Sequence, residues 1–303
     1  MAEKGTQSTG VSPAIAELLL LGAAMMWGVN FVVVKAALSQ FQPHVFNSMR
    51  FVLAIVAMVA VMRYKAISVR PFSRQTSLLM LAGLLHTSFY QILFIEGIAR
   101  TTASNSAMIL AATPATVAVM GHVIGSEKIV RHTWAGIALA FGGLYLIIRA
   151  SNQNFSLRDA SFLGDVLVLC AMLLWAAYTA WARQLMQRFS VMEVTALSTI
   201  YGAVPLVLWS IPDLFVQQWQ AVTIAGWGGV VYSGMFSITI AYFIWNASVQ
   251  RVGAARTAIF SNLIPVFAVI TGVVCLDETV SEVQLLGAVC VIAGIVLARR
   301  TNK

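Results

Sequence analysis

The stretch TTASNSAMILAATPATVAVMGHVIGSEK, residues 101–128, decides the fold because it recurs. Displaced by 151 residues, it lies over VGAARTAIFSNLIPVFAVITGVVCLDET, residues 252–279. The first copy is apolar enough for a membrane, yet Pro114 stands inside it. A proline in a helix interior removes one hydrogen bond and crowds the carbonyl four residues back, here Leu110. In hydrocarbon no water replaces that bond, so neighbouring protein must. In the second copy Pro265 does the same to the carbonyl of Ser261. Across fifty ungapped positions the identities number eleven, and the punctuating residues stand out: Pro114 with Pro265, Gly121 with Gly272, Glu127 with Glu278, Gly136 with Gly287 and Gly143 with Gly294. Apolar segments match by composition alone, whereas Pro, Gly and Glu in register do not.

The front of each half repeats at an offset of 148. LGAAMMWGVNFVVVKAALSQF lies over LCAMLLWAAYTAWARQLMQRF, pairing Trp27 with Trp175, Lys35 with Arg183 and Phe41 with Phe189. Between these repeats the composition excludes a soluble protein. Of the 303 residues 59% are hydrophobic and 10% charged, against about 25% charged in ordinary soluble domains; mean hydropathy is +0.84. The net charge of +8 does not indicate nucleic acid, because the basic residues stand singly between apolar runs. Cys170, Cys275 and Cys290 all fall in apolar segments and read as small buried hydrophobes. The polar N-terminus leads into an apolar run too long for a signal-peptide core and is expected to be retained.

A bilayer core requires roughly 20 apolar residues per helix. Ten candidate spans result: 15–38, 44–64, 76–97, 103–122, 131–149, 162–183, 193–211, 222–247, 255–275 and 282–299. With the N-terminus in the cytoplasm, 14 Lys and Arg residues fall on the cytoplasmic side and 5 on the other. The positive-inside rule therefore places both termini in the cytoplasm. The longest break, SNQNFSLRDASF at 151–162, divides the chain into repeats 1–154 and 155–303. Each repeat holds five spans, so the second enters the membrane from the opposite side. Inverted repeats of this kind place a substrate site near the midplane between the halves and permit alternating access.

These residues resemble the drug/metabolite transporter superfamily, in its ten-helix EamA-type members. The likeness rests on a Pro in the fourth helix of each repeat, an acidic residue some thirteen positions on, a Gly-rich fifth helix, the tryptophan motifs MMWGVNF and LLWAAYTAW, and the arginine of FNSMRF. The resemblance implies an all-α integral membrane protein of ten helices, exporting small metabolites across the bacterial inner membrane. Within the family the chain looks most like exporters of aromatic and other neutral amino acids.

Polar and aromatic groups deep in a span should face protein or a wet cavity. Trp27 and Asn30 share a face of span one, and Trp175 and Tyr178 are their counterparts in span six; a substrate plate and simple packing are both open. His86 and Tyr90 share a face of span three, where the imidazole is a carbonyl-bonded core group, a substrate contact or a proton relay. Span eight offers Ser237, Tyr242, Trp245 and Asn246, which do not share one α-helical face; Tyr242 and Asn246 form the better pair, and Trp245 suits an interfacial belt as well. Asn262 and Ser261 precede Pro265. The two prolines read as hinges of helices four and nine. Lys35, Arg50, Glu96 and Asp165 are expected near the outer side, where the cations reach the interface.

No Walker A, GxGD or HExxH motif occurs, so neither ATP drive nor an intramembrane hydrolase is indicated, and no cofactor or metal is called for. The expected partners are a small-molecule substrate and the lipid bilayer; monomer and weak homodimer are equally compatible with the sequence. The competing reading is efflux of drugs or hydrophobic cations, against which the span centres lack an acid.

Overall fold

The computed structural model describes residues 13–65, 76–123, 131–151 and 160–298, and every regular element among them is helical. The longer helices, in order, are α1 (Pro13–Ala37), α2 (Pro43–Tyr64), α3 (Ser77–Arg100), α4 (Ala103–Val123), α5 (Arg131–Ser151), α6 (Ala160–Leu185), α7 (Val191–Trp209), α8 (Ile224–Val252), α9 (Arg256–Leu276) and α10 (Glu282–Ala298). Among the described residues, eight helices are long and apolar enough to cross a membrane. The apolar parts of α5 and α10 are shorter, Trp134–Ile147 and Glu282–Gly294. The chain is a multi-pass membrane protein. The repeat boundary at 154/155, Glu127 and the cationic residues Lys4, Arg70, Arg74, Lys128, Arg158, Arg299, Arg300 and Lys303 lie outside the described residues.

Helix starts carry the residues that such starts require. The hydroxyl of Thr102 accepts a bond from Asn105 N, Ser190 and Glu193 form a reciprocal capping box, and Thr223 accepts from Gly226 N. Such caps satisfy backbone donors that have no partner within the helix. Helix α5 lies along α10, α3 along α6 and α7, and α1 along α8 and α9; α2 packs on α7 and α8, and α4 on α6. The α5–α10 crossing has its glycines face to face. A Cβ on Gly143 would stand 2.4 Å from the carbonyl oxygen of Gly287, and one on Gly294 would stand 2.5 Å from that of Gly136. Small residues spaced two turns apart thus let these backbones touch.

Four helices depart from α geometry, in two pairs. In α3 the segment Leu84–Phe89 is a π-helix, and in α8 so is Ser233–Ile240. The prolines interrupt α4 and α9. In α4 one helix ends at Leu110 and another begins at Thr113, with Ala112 N bonded three residues back to Ile109 O. In α9 the tight 3-10 turn Ile259–Leu263 precedes the helix containing Pro265. The carbonyls deprived by the prolines are repaired locally: Thr113 Oγ1 donates to Leu110 O at 2.6 Å, and Ile264 N donates to Ser261 O. Both prolines therefore break and tighten their helices without leaving a bare carbonyl in hydrocarbon.

The cysteines correct an expectation. Cys275 is exposed, and Cys170 and Cys290 are partly so. In a membrane the apolar side of a helix can face lipid as readily as protein, so hydrophobicity alone does not place a residue inside.

Candidate functional site

A small central cavity lies where α1, α2, α3, α4, α6, α8 and α9 meet. Its walls carry Trp27 and Asn30 from α1, Tyr90 from α3, Trp175 from α6, and Ser237 and Tyr242 from α8. The two broken helices contribute the residues around their breaks: Leu110 and Thr113 from α4, Ser261 and Ile264 from α9. The space open to water centres is about 50 Å³, enough for a few waters and too little for an aromatic solute.

Aromatic rings close the centre. Trp27 meets Trp175 edge-on at 5.7 Å, Tyr242 at 6.2 Å and Trp245 at 5.1 Å between centroids. Trp175 in turn contacts Tyr90 at 5.4 Å and Tyr242 at 5.5 Å. Edge-to-face rings at such separations attract one another beyond their burial alone. Trp27 Nε1 donates to the carbonyl of Ser237 at 2.9 Å, inside the π-helical part of α8. Ser233 Oγ donates to Asn30 Oδ1 at 2.5 Å. Trp245 is 1% exposed, so it belongs to this cluster and not to an interfacial belt. The cause is the π turn, which closes one residue later than an α turn and alters the angular register of Ser237, Tyr242 and Trp245.

Three sequence candidates sit one layer behind the cavity. His86 Nδ1 lies 2.9 Å from the carbonyl of Ala82, and its ring stacks on Tyr178 at 4.0 Å. Tyr178 Oη donates to Asn246 Oδ1 at 3.1 Å, and Asn246 Nδ2 donates to Thr195 Oγ1 at 3.0 Å. Asn262 is absent from the cavity wall; its neighbour Ser261 is present. Asn262 Oδ1 is buried without a hydrogen-bond partner among the described residues.

Arg50 is the main correction. Instead of reaching the outer interface it is 1% exposed and lines the cavity. Its Nε and Nη2 donate to Asn47 Oδ1 at 2.9 and 2.6 Å, and Nη2 donates also to Gln91 Oε1 at 2.6 Å. Gln91 Nε2 continues the chain to Tyr242 Oη at 2.9 Å. Asp165 is fully buried beside the α3–α4 turn, where it accepts from Thr101 Oγ1 at 2.8 Å and from Asn105 Nδ2.

One end of the bundle is tied shut at the α3–α4 turn. Lys35 Nζ donates to the carbonyls of Ile98, Ala99 and Thr101 at 3.0, 3.2 and 2.5 Å. The Glu278 carboxylate accepts from Ala103 N at 2.7 Å and Ser104 N at 2.9 Å. Close by, Glu96 holds His44 at 3.0 Å and pairs with Arg100. At the opposite end a pocket of about 240 Å³ lies between α4, α6 and Ala254 of the α8–α9 connection, beside Arg183.

The model of the EamA-like transporter family matches twice, over residues 14–149 and 162–300. The chain belongs to the EamA-like transporter family. It is a membrane transporter and not an enzyme. It is 25% identical over 283 residues to an uncharacterized transporter of Bacillus subtilis (strain 168), covering 93% of this chain and 92% of that one. It is 29% identical over 287 residues to a probable amino-acid metabolite efflux pump of Salmonella typhimurium, covering 91% and 92%. One crystal structure superposes with a TM-score of 0.71 over 95% of this chain and 97% of that one, at 16% identity, which shows a shared fold.

Proposed function

We propose that this EamA-family transporter exports small amphipathic metabolites, foremost aromatic and other neutral amino acids, by alternating access in a bacterial inner membrane. The observation that carries this reading is the closed aromatic cavity with both proline breaks in its wall. Its polar groups are few and spaced among rings, which suits a solute with one apolar and one polar end. The relatives named amino-acid metabolite efflux pumps agree with that chemistry.

The proposed architecture is two five-helix repeats, 1–154 and 155–303, of opposite orientation. It is supported by the double family match, by the paired π-helices and paired proline breaks, and by the pairing of α3 with α6 and α1 with α8. In this reading Trp27, Asn30, Tyr90, Trp175, Ser237 and Tyr242 contact substrate; His86, Tyr178 and Asn246 back them, with Asn262 beside the break in α9. Pro114 and Pro265 are the hinges. With both termini cytoplasmic, as the charge distribution favours, the tied end faces outward and the pocket beside Arg183 faces the cytoplasm.

Counterflow in proteoliposomes tests the proposal. Vesicles preloaded with phenylalanine should accumulate labelled phenylalanine, leucine or threonine, and should exclude organic cations. Uptake of cations with no uptake of any amino acid would replace this reading with hydrophobic-cation efflux.

A further inference from the structure

The cavity holds a charge that no side chain answers. Arg50 stands within α2, buried, and both acceptors it uses, Asn47 Oδ1 and Gln91 Oε1, are neutral. Phe46, Phe51 and Phe94 surround the guanidinium, with ring centroids 5.4, 5.7 and 6.0 Å from Cζ. Ring faces and amide oxygens ease the burial of a cation, but neutral acceptors do not discharge it, and an uncompensated buried charge is costly. Among the described residues no carboxylate pairs with Arg50, and the cavity wall contains no Asp or Glu. Nε and Nη2 are occupied, whereas Nη1 has no acceptor among the described residues. A fixed, desolvated guanidinium with an unused N–H edge beside an aromatic chamber is the recognition element for a planar anion.

We propose that Arg50 binds the carboxylate of the transported solute, and that substrates share a carboxylate on an apolar or aromatic body. This deepens the amino-acid reading and rests on the same cavity. Asn47 and Gln91 hold the guanidinium in place, and the rings of Trp27, Trp175 and Tyr90 cover the apolar body once the cavity widens to admit it. An ammonium meets only neutral oxygens and π faces there, so the carboxylate is required and the ammonium is dispensable. Amines and hydrophobic cations are rejected because they would add a second positive charge beside the first.

Calorimetric titration of the purified full-length protein with four ligands of one shape tests this. The ligands are 3-phenylpropanoate, L-phenylalanine, L-phenylalaninamide and 2-phenylethylamine. The first two should bind at least tenfold tighter than the last two. Arg50→Lys should weaken the two carboxylates about tenfold, and Arg50→Met about a hundredfold. The comparison of ligands on the unaltered protein decides the matter even if a variant fails to fold. Equal affinity for phenylalanine and its amide would overturn the role of Arg50 while leaving amino-acid transport standing. Binding of phenylpropanoate without phenylalanine would leave Arg50 standing and overturn the amino-acid reading. Binding of none of the four, or undiminished binding by folded Arg50→Met, overturns the proposal.

Discussion

Helices α2 and α7 pack against each other and begin 148 residues apart, at Pro43 and Val191, the offset that aligns α1 with α6, yet at that offset their chemistry differs. Arg50 on α2 presents a guanidinium to the cavity; the corresponding Ser198 on α7 is buried and donates its hydroxyl to its own helix, at Val194 O. Asn47 on α2 holds Arg50, while the corresponding Thr195 on α7 accepts from Asn246. Gln91 and Tyr242, 151 residues apart, bond to each other where the two sets meet. Shared features of the two halves build backbone: prolines, glycines and π turns. The paired Trp27 and Trp175 face the site from both halves, whereas Arg50, which faces it too, has no charged counterpart. Duplication can supply a symmetric frame, but a substrate with two different ends requires different groups to receive them.

The largest expected effect comes from erasing that difference. Arg50→Ser, which places the residue of α7 into α2, should reduce phenylalanine counterflow about ten- to a hundredfold, the loss of one charge-assisted hydrogen-bond set. Ser198→Ala should change it less than about twofold, since a helix-bonded hydroxyl contributes little. Equal effects in the two variants would end the comparison. Next comes the shared frame. Gly143→Ala should cost about 1–3 kcal/mol of stability by overpacking against Gly287, read as a lower melting temperature with substrate affinity unchanged. If affinity falls instead, α5 and α10 belong to the site and not to its scaffold.

Smaller again are the hinges. Pro114→Ala and Pro265→Ala should each slow counterflow about threefold, roughly 0.7 kcal/mol of barrier, while expression and melting temperature stay near those of the parent. Slowing by only one of the two would mean that a single break moves. The smallest effect separates the paired tryptophans. Trp27→Phe deletes the donor to Ser237 O and should cost about 0.5 kcal/mol more stability than Trp175→Phe, measured by denaturant unfolding in detergent.

Much of the frame was legible in the sequence because its residues act through the backbone. Proline, glycine and helix-capping side chains impose local geometry wherever they occur, so Pro114, Pro265, Gly143 and Gly287 could be read without tertiary information. The tryptophans were legible because they recur. Depth was not. Arg50 lies seven residues into α2, about 10 Å along its axis, and a long cation near the start of an apolar run is compatible with snorkelling. Only the fold shows that Asn47, Gln91 and three phenylalanines hold it inside. A clue existed in Asn47, three residues before Arg50 on the same helix face. Trp245 stayed open between the site and an interfacial belt because its register depends on where α8 widens. The cysteines, exposed at Cys275 and partly so at Cys170 and Cys290, were read as buried because bilayer and protein core select the same apolar residues.

The tied end of the bundle has a consequence for ionic strength. Lys35 and Glu278 grip neighbouring parts of one turn, but each spends its charge on backbone groups, the ammonium on the last carbonyls of α3 and the carboxylate on the first amides of α4. Among the described residues no ion pair joins them. These are the ends of helix dipoles, where such charges belong. Mobile ions screen the charge–dipole part of this hold and the ion pairs of Glu96 with His44 and Arg100 beside it, whereas the hydrogen bonds to main-chain atoms persist, so this end should loosen only in part in brine.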